Sequence, residues 1–591
     1  MKIPSVPVLV ESFVGVLRRF PFVMLAAFCG VIAFSVMIEH EYGSEPPKVW
    51  IKLLLTSILG LPFLLSLAIA GEKWQLSKQG SILLSVAGLG LPAVYFYSLH
   101  ISPLAPGVIT MIRFAGLILA THLLVSYIPY LKTGTVEDFW EYNKRLFGNI
   151  VVGGVYSGII FAGLSIAILA VDNLFDVKID DKIYGHLFAW VAGIFNTSYF
   201  LSNFPRQYDD LTLEGSTYTV AIKNLSKFIL IPIVSIYFLI LYAYSAKILV
   251  TWNLPQGWVS SLVLGFSVAG ILTYLLNYML VKFDENVLVR EYRKWFFYVL
   301  FPMVGLLFVA IGRRLSEYGV TEERFVVATA GVWLFLISLY FIISKKDNIK
   351  FIPISLSIFA LLAVLGPLSA FRVSHRSQTD RLQSLLEKNA MLVEGKAVAA
   401  KDTLASADAE SIRSILYYLR EHEHFEEAAR LFGLPDSIQN PDWSEIDRIL
   451  GDLKIGYSAP PGIYCEINFG RSESLDVSGF DRMEVLNLYE GQSTPPSHTG
   501  WMLSDDRTAI EVFENGMKTH TLNVQPFLKN LFSKYECNPS NPAKEDASFT
   551  WEEGGKKMKL VVEIITVERE ESTKINSWSG IVLTKLGKEN Q

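Results

Sequence analysis

Phe351-Ile-Pro-Ile-Ser-Leu-Ser-Ile-Phe-Ala-Leu-Leu-Ala-Val-Leu-Gly-Pro-Leu-Ser-Ala-Phe371 carries no charge, and Arg372-Val-Ser-His-Arg376 follows it at once. A helix needs about 20 mostly apolar residues to cross the hydrocarbon core of a bilayer. The stretch therefore reads as a membrane span, and its end divides the chain. Before it lie ten more such stretches, at about 20–38, 50–70, 81–99, 108–128, 147–170, 185–204, 226–250, 258–281, 295–311 and 325–343. After it lies none. Residues 371–591 hold 25 Lys/Arg and 35 Asp/Glu, whereas 1–370 hold 27 and 22. Of the 591 residues, 51% are hydrophobic and 18% charged, well below the roughly 25% charge of an ordinary soluble chain. A wholly soluble enzyme, a disordered chain and a disulfide-dense scaffold are excluded. The net charge of −5 also disfavours a nucleic-acid partner.

The fold class expected is an α-helical polytopic membrane domain of about 11 spans over 1–371. A helical extracytoplasmic segment at 372–455 and a β-rich extracytoplasmic module at 456–591 follow it. Orientation comes from the short loops, because Lys and Arg accumulate on the cytoplasmic side. With the N-terminus inside, the inner segments carry eighteen Lys/Arg and the outer loops six. An odd number of spans then leaves the tail outside. The first span reads as retained, since no small-residue cleavage site follows it. Trp50, Trp74, Trp140, Trp190, Trp252, Trp258 and Trp295 fall near span ends, where amphipathic rings settle. Trp333 is expected to pack mid-span.

No proposed span contains Asp or Glu, although ion-coupled transporters usually keep carboxylates on the ion path. The intramembrane polar groups singled out are Arg113 and His122. Nine residues apart, they face opposite sides of one helix. Each reads either as a satisfied polar side chain or as the lining of a polar cavity. Gly154-Val-Tyr-Ser-Gly158 is a small-residue step that lets helix backbones approach, with a helix of the same chain as the expected partner. Residues 136–147 mix Phe139, Trp140 and Phe147 with charges. They read as an amphipathic helix anchored at the inner interface.

Three stretches carry a resemblance: Asp138-Phe-Trp-Glu-Tyr-Asn-Lys-Arg-Leu-Phe147, Arg313-Arg-Leu-Ser-Glu-Tyr-Gly-Val-Thr-Glu-Glu-Arg324, and Gly366-Pro-Leu-Ser-Ala-Phe-Arg-Val-Ser with Ser377-Gln-Thr-Asp-Arg-Leu-Gln-Ser-Leu-Leu386. The chain resembles the polytopic bacterial membrane proteins grouped as domain of unknown function 4153, over most of 1–390. The resemblance implies a bacterial inner-membrane protein. It transfers no activity, catalytic residue or cofactor.

Arg313, Arg314 and Arg324, with Arg372 and Arg376 after the last span, form a basic collar on the outer side. Arginine pairs with phosphate or carboxylate through two parallel hydrogen bonds, so an anionic lipid, glycan or peptide is the ligand class this suggests. Docking of the acidic tail is the internal alternative. Thr321, Glu322 and Glu323 can serve the following helix's N-terminus. In the tail, apolar periodicity predicts helices at 377–394, 408–421, 424–432 and 442–453. It predicts strands at 463–469, 483–489, 509–513, 518–524, 559–567 and 581–584, with a helix near 525–535. Cys465 and Cys537 can form one disulfide outside the cytoplasm. His422 and His424, near Glu423, Glu426 and Glu427, lack a metal-binding pattern and read as a solvated helix face.

The function expected is non-enzymatic: an envelope binding or sensory protein working through its C-terminal domain. Membrane lipids and an anionic envelope ligand or envelope protein are its expected partners, with no cofactor and no metal. A transporter or flippase of an anionic or lipid-linked substrate is the first alternative, and an outer-leaflet transferase the second.

Overall fold

The computed structural model describes residues 6–40, 48–99, 101, 107–211, 223–251, 258–283, 287–344, 346–401, 404–422, 425–434, 441, 443–453, 455, 464–470, 475–489, 500–504, 506–514, 517–535, 542–553, 556–568 and 574–585. They fall into two compact units. One comprises 1–381 with 421–424, the other 382–420 with 425–591.

The first unit is helical. Among its described residues, nine helices are long and apolar enough to cross a membrane: Pro21–Ile38, Lys48–Lys73, Lys78–Ser98, Val108–Tyr130, Val136–Phe175, Leu225–Ile248, Val259–Leu276, Val287–Tyr318 and Glu322–Ile343. Two other expected spans take different forms. Around 185–204, the helices Lys182–Trp190 and Asn196–Ser202 are joined by a turn of π-helix at Val191–Phe195. Around 351–371, the helix Phe351–Val364 stops before Gly366, which takes a left-handed φ of +82°.

Inside the spans, several hydroxyls find partners on their own helix. Ser66 donates to Pro62 O, Ser245 to Leu241 O, Ser267 to Val263 O and Thr273 to Ala269 O, all at 2.6–2.8 Å. These bonds satisfy polar groups where no water does. Trp333 packs mid-span, with its indole N–H donating to Ser355 Oγ at 2.9 Å. Gly153 faces Asn196 and Tyr199, but a Cβ at Gly154 or Gly158 would meet nothing within 4 Å. The expected same-chain helix therefore does not cover this step among the described residues.

Segment 136–147 departs from its expectation. It is the opening of the 40-residue helix Val136–Phe175, and Phe139, Trp140, Tyr142 and Leu146 are buried in the main core. Its carboxylates Asp138 and Glu141 are also inside. Asp138 accepts from Thr135 Oγ1 at 2.7 Å and Leu211 N at 2.9 Å, and Glu141 pairs with Lys144 and Arg145. Because every buried charge has an intramolecular partner, the segment packs in protein rather than lying on lipid.

The second unit has two cores. Leu382, Leu386, Ile412, Leu416, Leu419, Phe425 and Ile446 unite the helices Ser406–Glu421, Glu426–Leu431 and Trp443–Asp452. A small hairpin, β1 (Leu392–Val393) with β2 (Lys396–Ala397), sits beside them in sequence. The other core is antiparallel. Strands β3 (Tyr464–Asn468), β9 (Lys556–Glu568), β10 (Ile575–Lys585) and β4 (Arg482–Tyr489) lie in that order, and β8 (Ser548–Glu553) pairs with β9 beyond β3. Strands β5 (Gly500–Leu503), β6 (Ile510–Glu514) and β7 (Met517–Leu522) make a second sheet. The helix Gln525–Lys534 buries Leu528 and Leu531 with both sheets' inner residues. Residues 515–516 and 554–555 lie outside the described residues. The pairings Glu514↔Met517 and Glu553↔Lys556 bracket them as two-residue hairpin connections.

Candidate functional site

The helical unit carries an open depression of about 940 Å³ where the ends of helices Val6–Arg19 and Lys48–Lys73 meet the loop 203–211. Arg19 donates from Nε to Glu72 Oε1 and from Nη2 to Glu72 Oε2, both at 2.8 Å. It also donates to Phe204 O at 3.0 Å and Pro205 O at 2.7 Å. Tyr208 donates to Glu72 Oε2 at 2.6 Å, and Lys73 pairs with Asp209 at 2.5 Å. Burial and then the Glu72 charge push the Tyr208 hydroxyl well above its ordinary value, so it stays protonated. Burial opposes the Arg19 charge, but the Glu72 hydrogen bond and charge outweigh it and raise the pKa. The arrangement is a clasp holding the loop to two helices, with Arg18 and Arg206 exposed on its rim. The sequence reading missed it because only Lys and Arg were weighed in the loops. The signal was Glu72-Lys73 directly after a span, matched by Arg206-Gln-Tyr-Asp-Asp210.

The two intramembrane polar groups, expected on opposite sides of one helix, have separate surroundings. The Arg113 guanidinium lies 4.9 Å from the Phe371 ring centroid. His122 is exposed, and its Nδ1 is 2.8 Å from Ile118 O on the same helix. Three of the collar arginines have local partners. Arg313 Nε donates to Glu317 at 2.7 Å. Arg324 donates to Tyr318 O at 3.2 Å and Gly319 O at 3.0 Å. Arg376 sits 3.7 Å from Asp380 and is 85% exposed, and Arg372 is exposed. Arg314 and Arg381 lie within electrostatic reach of Arg324. Thr321 occupies the N-cap position without a side-chain capping bond. Gly319, at φ +71°, is held between helices, with Ser377 Oγ accepting from Val320 N at 2.9 Å. His422, in the short stretch 421–424 of this unit, is 3.5 Å from buried Glu322. Among the described residues no His/Cys/Asp/Glu group is arranged to hold a metal. His424 and Glu423 lie outside them.

In the second unit, a cleft of about 480 Å³ runs between the helix Gln525–Lys534 and β8. Pro526, Phe527, Asn530, Leu531 and Lys534 line one side, a set that shares one helical face. Ser548, Phe549, Thr550 and Trp551 line the other. Phe527 stacks on Phe549 with centroids 4.7 Å apart, and the Trp551 ring lies 5.6 Å from His520. Lys534 and Tyr535 both reach Asp546, at 2.5 and 2.6 Å, and hold its carboxyl below the usual range. Ser548-Phe-Thr-Trp551 alternates as a strand should, but its shortness concealed it in the sequence. Cys465, 2% exposed on β3, is disulfide-bonded, Cys29 is free, and Cys537 lies outside the described residues.

Comparison with known proteins adds a family. Over 288 residues the chain is 23% identical to "Uncharacterized protein PM1469" of Pasteurella multocida (strain Pm70). The matched region covers 48% of each protein, so the chain spans about half the length of this curated relative. No solved structure matches. Residues 26–404 match the profile described as "Domain of unknown function (DUF4153)", a match that takes in most of the helical unit and stops short of the cleft. With well over half of its length matched, the chain belongs to the DUF4153 family.

Proposed function

We propose that this is a bacterial inner-membrane protein whose C-terminal unit lies outside the cytoplasm and binds or senses an envelope ligand without chemistry. The observation that carries this reading is the cleft of about 480 Å³ on the C-terminal unit, with Phe527, Phe549 and Trp551 beside Asn530. Concave sites lined by aromatics and a few polar groups are the usual seats of ligands. The placement outside rests on the excess of Lys and Arg in alternate loops and on about eleven crossings, with the N-terminus inside. The transporter and transferase alternatives gain no support from Arg113 and His122, since one packs on Phe371 and the other is exposed.

The test has two arms. A reporter active only in the cytosol, fused after Gln591, stays silent if the tail is outside. The full-length protein, purified with its native lipids, is analysed by mass spectrometry of what it retains, beside Asn530→Lys. The reading expects a retained molecule that the variant loses, and an identical retained set overturns it.

A further inference from the structure

We infer that the occupant of the cleft is an extended peptide segment, added as a strand along the open edge of β8. The inference rests on the reading of the C-terminal unit as a binding module and names its ligand class.

Four consecutive residues, Ser548 to Trp551, line the cleft. Side chains of a strand alternate between its two faces. A wall made of four in a row is therefore the strand's edge, not a face. That edge is open: among the described residues β8 pairs only with β9, from Ser548↔Val561 to Glu553↔Lys556. In an antiparallel pair, alternate residues turn their N–H and C=O away from the partner. The cleft is thus walled by backbone donors and acceptors repeating roughly every 6.8 Å, twice the rise of one residue.

Only another extended backbone matches such a repeat, and strand addition at a sheet edge is a general mode of peptide capture. The opposite wall suits it. Phe527 and Leu531 give apolar floor, and exposed Asn530 adds an amide to the lining. Charge sets a direction. Lys534 neutralises Asp546, which leaves exposed Glu545 to favour a basic side chain at that end. The four-residue edge fixes the core of the ligand at about four residues, with side chains alternately toward and away from the floor.

The experiment pans a phage-displayed library of linear ten-residue peptides against the full-length protein in lipid nanodiscs. The best binder is then resynthesised with single N-methyl groups at each backbone nitrogen. Strand addition expects losses of about 10-fold or more at every second nitrogen and little change between them. Asn530→Lys, on the cleft, is expected to abolish binding at unchanged melting temperature. Lys529→Ala, off the cleft, is expected to preserve it. A flat or aperiodic N-methyl profile overturns the inference. Failure of every peptide, while a glycan array finds a ligand sensitive to Asn530→Lys, overturns the strand and leaves the binding reading standing. Failure of both ends both. A wild-type dimer that Thr550→Lys dissociates would assign the edge to a second copy and also overturn it.

Discussion

Both prongs of the Arg19 guanidinium grip the Glu72 carboxylate, and the remaining donors reach the carbonyls of Phe204 and Pro205. One side chain thus ties the ends of two helices to a loop almost two hundred residues away in sequence. Both partners are largely shielded, at 20% and 33% exposure. Removing one partner of a partly shielded pair leaves the other charge uncompensated, at a cost of about 1–3 kcal/mol, between the exposed and buried limits. Arg19→Ala and Glu72→Ala are each expected to lower the melting temperature of the detergent-solubilised protein markedly. The double variant is expected to fall by less than their sum. Arg19→Lys keeps the charge but not the fork, and should lie between. Additive losses would show that the pair is not coupled.

The collar arginines should separate by variant. Arg324 supplies donors to two carbonyls at the end of the helix Val287–Tyr318, the place where a cation best serves a helix. Arg324→Ala is expected to cost about 1–2 kcal/mol. Arg376 faces solvent beside Asp380, so Arg376→Ala should change stability by less than about 0.5 kcal/mol. Equal effects in thermal unfolding would contradict this division.

Acid should loosen the helical part of the C-terminal unit. Lys388 at 2.9 Å, then Asn389 at 3.0 Å, hold the Asp408 carboxyl below its ordinary value of 3.8. A carboxylate depressed in the folded state adds stability that is fully present above its unfolded value. That stability is lost as the pH falls through the folded value. Hydrogen exchange in the helix Ser406–Glu421, expressed relative to the intrinsic rate at each pH, should be flat above about pH 5 and rise once the pH drops below about 4. In Asp408→Asn that acid-dependent rise should shrink, from a lower stability at neutral pH.

The sulfur bridge is open to a direct check. Cys465 is bonded and lies at the edge of the β core. The full-length protein should show a mobility shift between reduced and oxidised gels. Cys465→Ser should abolish it, and so should Cys537→Ser if these two cysteines are partners. Losing the bridge should cost roughly 2–4 kcal/mol in the unfolding of the C-terminal unit. Retention of the shift in either variant would separate the two cysteines.

What the sequence disclosed, and what it hid, follows the range of the forces involved. Hydrophobic length is local, so nine of the expected spans appear as helices long enough to cross a membrane. Strand alternation is local too, and it located β3, β4, β6, β7 and β9 to within a few residues, and the C-terminal part of β10. Partner choice is not local. Glu141 looked like the polar face of an interfacial helix, yet it is 2% exposed because Lys144 and Arg145 close on it. The arginines at 313, 314, 324, 372 and 376 looked convergent in sequence. In space Arg313 and Arg324 take partners from their own neighbourhood, and no cavity described here is lined by any of the five. The edge of β8 depends on which strand fails to arrive beside it, and no window of sequence records that.

Gly580 gives the sharpest test of the β core that holds the cleft. Its strand, β10, is centrally placed between β9 and β4, and the pairing with β9 shifts register between Ser579 and Gly580. A Cβ at this position would stand 2.1 Å from Val561 O and 3.1 Å from the Val561 carbonyl carbon. The obstacle is backbone, so no side chain can rotate out of the way. Relief requires the two central strands to part, which would break ladder bonds and disturb Trp578 and Val562, both at about 1% exposure. Forced overpacking of a core usually costs 1–3 kcal/mol, and backbone collision belongs at or above the top of that range. Gly580→Ala should therefore unfold the β module selectively. Protease should cut within 456–591 while the helical unit keeps its melting transition. Near-native protease resistance in Gly580→Ala would mean that β9 and β10 do not meet in this register, and the open edge of β8, which is aligned through β9, would lose its support.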